Sequence, residues 1–323
     1  MSPLISFLEF AQEIASIWDR LKLEAFAGRT YPEETLFRAR TLLRADTFLQ
    51  WVAWTAEGIA DPRRYAGKTG AYAQLFEDCY STVSIQYPSL TSPERKALSS
   101  ALAHYLKSRA DAFMVERNRR TISRDQRVGL LQMSGKTPRC WITGFAFDQS
   151  AISAFLGEKP SAQGKQFAPT LPCFVDIYRP IGLRQRDLQI EIDHIYPVSQ
   201  GGTDMDNLRL ACGWANAFKS DSITLYDVPG GVRHFTGNSE LKLPITLPQP
   251  FWVIRLLATR RSCEWQEGCH ASADSSELTV APINPLGAPT PTNLRVVCEA
   301  HDPIRGKRFF ARLIAENAWN RHT

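Results

Sequence analysis

The sequence lacks any run of about 18 uncharged apolar residues, the minimum for a membrane-spanning helix, so no membrane contact is expected. Its opening residues, MSPLISFLEFAQEIASIWDR, lack a basic start and carry Glu9 and Glu13 inside the apolar stretch. That pattern does not fit a secretory signal, and the expected location is cytoplasmic. Charge of one sign is also in short supply: 38 Lys and Arg stand against 33 Asp and Glu, a formal net charge of +5. So mild an excess permits a polyanionic partner without requiring one. Cysteine is present seven times, an odd number that does not read as a disulfide framework. Cysteines clustered with histidines point instead to metal sites.

What is present is ordinary globular composition, 44% hydrophobic and 22% charged over 323 residues. It supports real cores and roughly two to three domains. Residues 1–135 read as helices. Phe7, Phe10, Ile14, Ile17, Trp18 and Leu21 form one apolar stripe at three- and four-residue spacing. Further helical runs cover about 32–59 (opened by Pro32, with Glu33 and Glu34), 71–86, and a long stretch from Ser92-Pro93-Glu94. The aromatics of these helices, Phe48, Trp51 and Trp54 among them, are expected in the core. Residues 105–139 hold nine basic side chains against Asp111, Glu116 and Asp125, either a solvated face or a phosphate-facing one. After Gly135 the texture changes to glycine, proline and short β-type runs. Residues 145–187 read as a loop-rich insertion and 222–250 as a second connector. FWVIRLLATRR, beginning at Phe251, reads as a helix. The expected division is 1–135 (helical; recognition, dimerisation or partner docking), 136–225 and 226–323.

The informative segment is residues 188–221, LQIEIDHIYPVSQGGTDMDNLRLACGWANAFKSD. Leu188, Ile190 and Ile192 alternate with polar residues, a strand pattern ending at Asp193-His194. A tight turn is expected at Gly201-Gly202, then a short strand from Asn207, then a short helix from Cys212 to Ser220. This order would bring Asp193, His194, Asn207 and Asn216 together. A carboxylate and an amide oxygen suit a hard divalent cation. Such an ion stabilises charge on a phosphate, while an imidazole titrating near neutrality can take a proton from water.

These residues resemble the HNH endonucleases of the ββα-metal fold: an acidic residue and His, a Gly-Gly turn, Asn-Leu a dozen residues on, and a closing Asn on a helix. The match covers about 35 residues directly. The resemblance implies an α+β chain, an N-terminal all-helical domain followed by two ββα-metal modules, and hydrolysis of DNA phosphodiester bonds. It implies His194 as general base, Asp193 and Asn216 as ligands of Mg²⁺ or Mn²⁺, Asn207 as the residue that orients His194, and Lys219 and Arg209 as phosphate contacts. The family often adds a zinc site built from two ligand pairs. Here they would be Cys140 with Thr143 and Cys212 with Ala215, each of which has lost its second ligand, so no structural zinc is expected in this copy. Cys173 is read as buried or incidental.

A second, broken copy follows. Asn293-Leu294-Arg295 aligns with Asn207-Leu208-Arg209, each Asn five residues before a cysteine. Leu278 and Val280 match Ile190 and Ile192, Ala281-Pro282 falls where Asp193-His194 stood, and Asp302 falls where Asn216 stood. Its ligand pairs are complete: Cys263 and Cys269 with Cys298 and His301 supply four N/S ligands for a structural Zn²⁺. His270 competes for one ligand position. Arg305, Lys307, Arg308 and Arg312 are candidate DNA contacts. The expected activity is metal-dependent DNA cleavage, with bacterial restriction or anti-phage defence as the associated role and a homodimer or a defence-system protein as possible partners. The alternative is a catalytically inactive zinc-containing nucleic-acid-binding or scaffold protein.

Overall fold

A computed structural model describes residues 3–14, 20–29, 40–114, 122–158, 167, 169–195, 207–220, 222–235, 245–265 and 268–320. The fold is mixed α and β: an N-terminal helical region, then small two-stranded antiparallel sheets interleaved with helices. The chain divides into two compact units, Met1–Phe48 and Leu49–Thr323. The first contains helices α1 (Pro3–Ile14) and α2 (Arg20–Ala27). Phe26 packs on Phe7 and Phe10, with ring centroids 4.7 and 5.9 Å away. Ile17 and Trp18 of the expected stripe, and the Pro32 helix start, lie outside the described residues.

Helix α3 (Thr41–Ile59) corrects one expectation: Phe48, Trp51 and Trp54 are all more than half exposed. The buried positions of the next helices are small or aliphatic. Ala56, Ala60, Leu75, Cys79, Ala103, Leu106 and Ala110 join Tyr65 in one core that binds α3 to α4 (Ala71–Gln86) and α5 (Ser92–Met114). Part of the basic stretch is tied up locally, with Lys107 paired to Asp111 and Arg109 to Glu57; Arg117, Arg119 and Arg120 lie outside the described residues. Helix α6 (Arg124–Met133) begins at a reciprocal cap between Ser123 and Gln126. The 145–187 stretch is more regular than its composition suggests. It holds α7 (Gln149–Leu156), capped by Asp148 and ended by Gly157 at φ +70°, then β1 (Phe174–Asp176) and the short α8 (Gln185–Leu188).

Two hairpins then repeat one design. Strands β2 (Ile190–His194) and β3 (Leu208–Cys212) pair antiparallel and run into helix α9 (Gly213–Lys219). After β4 (Arg233–Phe235), β5 (Ile245–Leu247) and helix α10 (Pro250–Arg260), strands β6 (Leu278–Pro282) and β7 (Leu294–Cys298) pair in the same way, ending in a 3-10 turn at Glu299–His301. Ile190 lies opposite Cys212, and Leu278 opposite Cys298. The amide of Trp141 bonds the Leu210 carbonyl, and that of Glu264 bonds Val296. Ile195 bonds Asn207, and Ile283 bonds Asn293. Residue for residue, Ala281 and Pro282 occupy the places of Asp193 and His194. The backbone therefore repeats where the polar side chains differ.

Both hairpins belong to one unit, and the turn after Cys140, which hangs from β3, meets β6. Leu278 donates its amide to the Thr143 carbonyl, and a side chain at Gly144, which sits at φ +70°, would collide with the Ser276 carbonyl. The chain closes with α11 (Arg305–Arg308), β8 (Phe309–Ala311) and α12 (Arg312–Asn320). β8 pairs with β1, and Trp319 packs with Ile177 and Leu247.

Candidate functional site

Strand alternation puts Glu191 and Asp193 on one face of β2, and helix α9 offers them Asn216 and Lys219. Asn216 Nδ2 donates to Glu191 Oε2 at 2.5 Å. Lys219 Nζ donates to Asp193 Oδ1 at 2.8 Å and to the His194 carbonyl at 2.6 Å. Trp141 Nε1 donates to the other Asp193 oxygen at 2.9 Å. Asp193 is 5% exposed and fully engaged. Gly213 lets α9 start this close, because a side chain there would strike the Arg186 carbonyl.

Of the residues singled out from sequence, Asp193 and Lys219 are in direct contact. Asn216 meets Glu191 rather than Asp193, and Asp193 meets Lys219 and Trp141. Glu191 was legible, being two residues before Asp193 on the same strand face. Trp141 was not, since nothing local ties it to a carboxylate 52 residues away. His194 ends β2, opposite Leu208. Burial pushes its imidazole below the ordinary range and Lys219 adds to this, while Asp193 opposes. A depressed imidazole is neutral near pH 7 and can accept a proton. Asn207 is buried at the head of β3, its carbonyl held by the Ile195 amide. The Gly201-Gly202 turn lies outside the described residues. In the second copy, Asn293 holds the corresponding loop through three hydrogen bonds, two to the Asn284 backbone and one to the Ala288 carbonyl.

Glu191, Asp193 and Asn216 supply the oxygen donors that a hard divalent cation takes, and the Lys219 ammonium already places a positive charge on Asp193. A different donor set converges at the second hairpin. Among the described residues, Cys263, Cys269, Cys298 and His301 form the one group of Cys, His, Asp or Glu close enough to hold a metal, all ligand atoms lying within 4.8 Å of one another. Cys269 and Cys298 Sγ are 3.8 Å apart, and His301 Nδ1 is 3.7 Å from Cys263 Sγ and 3.4 Å from Cys298 Sγ. A tetrahedral ion with Zn–S of about 2.3 Å and Zn–N of about 2.0 Å would require separations of ~3.8 and ~3.6 Å. Trp265 stacks on the His301 ring at 5.2 Å and fixes its plane. His270 is not part of the group.

At the matching place in the first copy, Cys140, Thr143 and Cys212 are all fully buried, with Thr143 Oγ1 4.0 Å from Cys212 Sγ. Burial pushes Cys212 up, and its bond to Cys140 pushes it further. Cys173, read as buried or incidental, is exposed.

The second hairpin's counterpart of the Glu191–Asn216 face is filled by an arginine. Arg308 is 1% exposed. It donates to Asp176 Oδ1 at 2.8 Å, to Asp302 Oδ2 at 2.7 Å and to Thr279 Oγ1 at 2.5 Å. Thr279 stands where Glu191 does and Asp302 where Asn216 does. Arg308 is therefore buried structure and not an exposed nucleic-acid contact. Compared with protein-family models, curated proteins and solved structures, the chain matches none.

Proposed function

We propose that the chain is a metal-dependent endonuclease of HNH type that hydrolyses DNA phosphodiester bonds, its catalytic module being the β2–β3–α9 unit. The carrying observation is Asp193 and His194 ending a strand whose helix partner presents Asn216 and Lys219 to the same face. Asp193 and Asn216 would hold Mg²⁺ or Mn²⁺, with Glu191 within reach of the same amide. That ion supplies charge stabilisation at the scissile phosphate. His194, neutral through burial, takes the proton of the attacking water. Asn207 would orient His194. Lys219 and Arg209 face phosphate. The β6–β7 unit is a second HNH-type module that has lost its base and keeps a structural Zn²⁺ on Cys263, Cys269, Cys298 and His301. A role in restriction or anti-phage defence, acting alone, as a homodimer or with a defence-system protein, follows from the resemblance.

The test is plasmid nicking with Mg²⁺ or Mn²⁺. Wild type is expected to nick, and His194→Ala to nick slower by about 10²-fold or more. Equal rates would remove this mechanism. The filled second site and the Lys219–Asp193 pair favour one other reading, a zinc-bearing binding protein; DNA binding without cleavage in either metal would select it.

A further inference from the structure

A cleft of about 1000 Å³ opens beside the Lys219–Asp193 pair, between α6, β3, α9 and α10. Among the described residues its lining carries five cationic side chains, Arg139, Arg209, Lys219, Arg255 and Arg261, and one carboxylate, Asp274. That carboxylate is already taken by Arg261 at 2.6 Å. The whole chain nets only +5, so this concentration of one sign is local. Lys219 is paired with Asp193 at 2.8 Å, and three of the arginines also bond backbone carbonyls. Arg139 bonds the Gly144 carbonyl at 2.7 Å, Arg209 the Leu208 carbonyl at 2.8 Å, and Arg261 the Trp141 carbonyl at 2.8 Å. The Trp141 ring, whose Nε1 holds Asp193, lies between Lys219 (5.9 Å) and Arg261 (5.6 Å).

We propose that this cleft seats the phosphodiester backbone of duplex DNA and leads it to the Asp193 carboxylate, with Arg139, Arg255 and Arg261 as phosphate contacts. This rests on the nuclease reading for what lies at its end. Of these, Arg255 and Arg261 come from α10 and its C-terminal cap, the helix that leads into the second hairpin. The module without a base therefore contributes to substrate binding by walling the other's cleft. A polyanion is the fitting occupant because fixed guanidinium groups contributed by separate elements match repeated phosphates better than one compact anion.

The experiment uses the full-length His194→Ala protein, which leaves substrate intact, and a fluorescein-labelled DNA duplex of about 30 base pairs read by anisotropy between 50 and 200 mM KCl. A phosphate chain makes log K fall with log salt at roughly 0.9 per contact. Arg255→Ala is expected to weaken binding several-fold and to lower that slope by about 1, with Arg255→Lys recovering the slope. Arg209→Ala, on another element, is expected to do the same, and the melting temperature checks the fold of each variant. Affinity and slope unchanged in folded Arg255→Ala and Arg209→Ala would overturn the proposal. So would a starting slope of about 1 or less, which means one small anion. Either result is independent of cleavage: nicking by wild type with the cleft variants neutral sinks the cleft alone, and cleft-dependent binding without nicking in Mg²⁺ or Mn²⁺ sinks the nuclease reading alone.

Discussion

Replacing Arg308 with Met probes what holds the polar pocket beside the second hairpin together. Arg308 is held by two carboxylates, Asp176 and Asp302, whose side chains are 4% and 3% exposed. Its third bond goes to Thr279, and its guanidinium lies 5.4 Å from the Tyr178 ring centroid. Methionine keeps most of the stem and removes the charge, leaving both carboxylates buried without their common counter-ion, with only Arg179 still beside Asp176 at 3.7 Å. Removing one partner of a buried pair costs about 3–5 kcal/mol. Against a total stability of about 5–15 kcal/mol, that is a large fraction. Arg308→Lys should recover little, because one ammonium cannot reach three acceptors set out in a guanidinium fork. The triple variant Arg308→Met, Asp176→Asn, Asp302→Asn should be more stable than Arg308→Met alone, since neither carboxylate is then left charged, while Arg179 keeps Glu277 as its partner. Urea denaturation followed by tryptophan fluorescence reads all three. A loss below about 1 kcal/mol for Arg308→Met, or no recovery in the triple variant, would refute the view that this arginine is the cation of that pocket.

Other consequences can be checked separately. Elemental analysis of the purified protein should find one zinc per chain, and Cys298→Ser should lose it together with several degrees of melting temperature; a metal-free wild type of equal stability would contradict the Cys₃His assignment. Lys219→Met removes the ammonium that now sits on Asp193, so Mn²⁺ followed by isothermal calorimetry should bind it more tightly than wild type, and Asp193→Asn should bind it more weakly; unchanged affinity in both would place the ion elsewhere. Tyr65 donates to Asp78 at 2.5 Å, and its hydroxyl is pushed up to about 12, first by burial and then by that carboxylate. An unfolded tyrosine ionises near pH 10, so the stabilisation is intact below pH 10 and is lost as pH rises to about 12. The stability gap between wild type and Tyr65→Phe should narrow across that window, and a constant gap would show that the hydroxyl is not the titrating group.

Where a pattern repeats locally, the sequence is a faithful guide. Alternation at Ile190 and Ile192 marks β2, and the five-residue interval from Asn to Cys aligns the two hairpins as their hydrogen bonds do. The four zinc-type ligands form two close pairs in sequence, so spacing alone finds them. Contacts set by tertiary packing are not legible in this way. Trp141 reaches Asp193 only because the Cys140 turn hangs from Leu210 of β3. Arg308 looked like one more surface cation because Asp176, 132 residues earlier, gives no local sign of its approach. Phe48, Trp51 and Trp54 are hydrophobic enough for a core, but α3 packs through Ala56 instead, with Ala60 just past its end.

A nuclease of this type depends on His194 serving bond cleavage. The most direct measurement incubates wild type and His194→Ala with mixed DNA in Mg²⁺ or Mn²⁺ and sequences every new end. New 5′-phosphate and 3′-hydroxyl ends made by wild type and lost in His194→Ala are the predicted result. Ends produced equally by both proteins, or by neither, would contradict it.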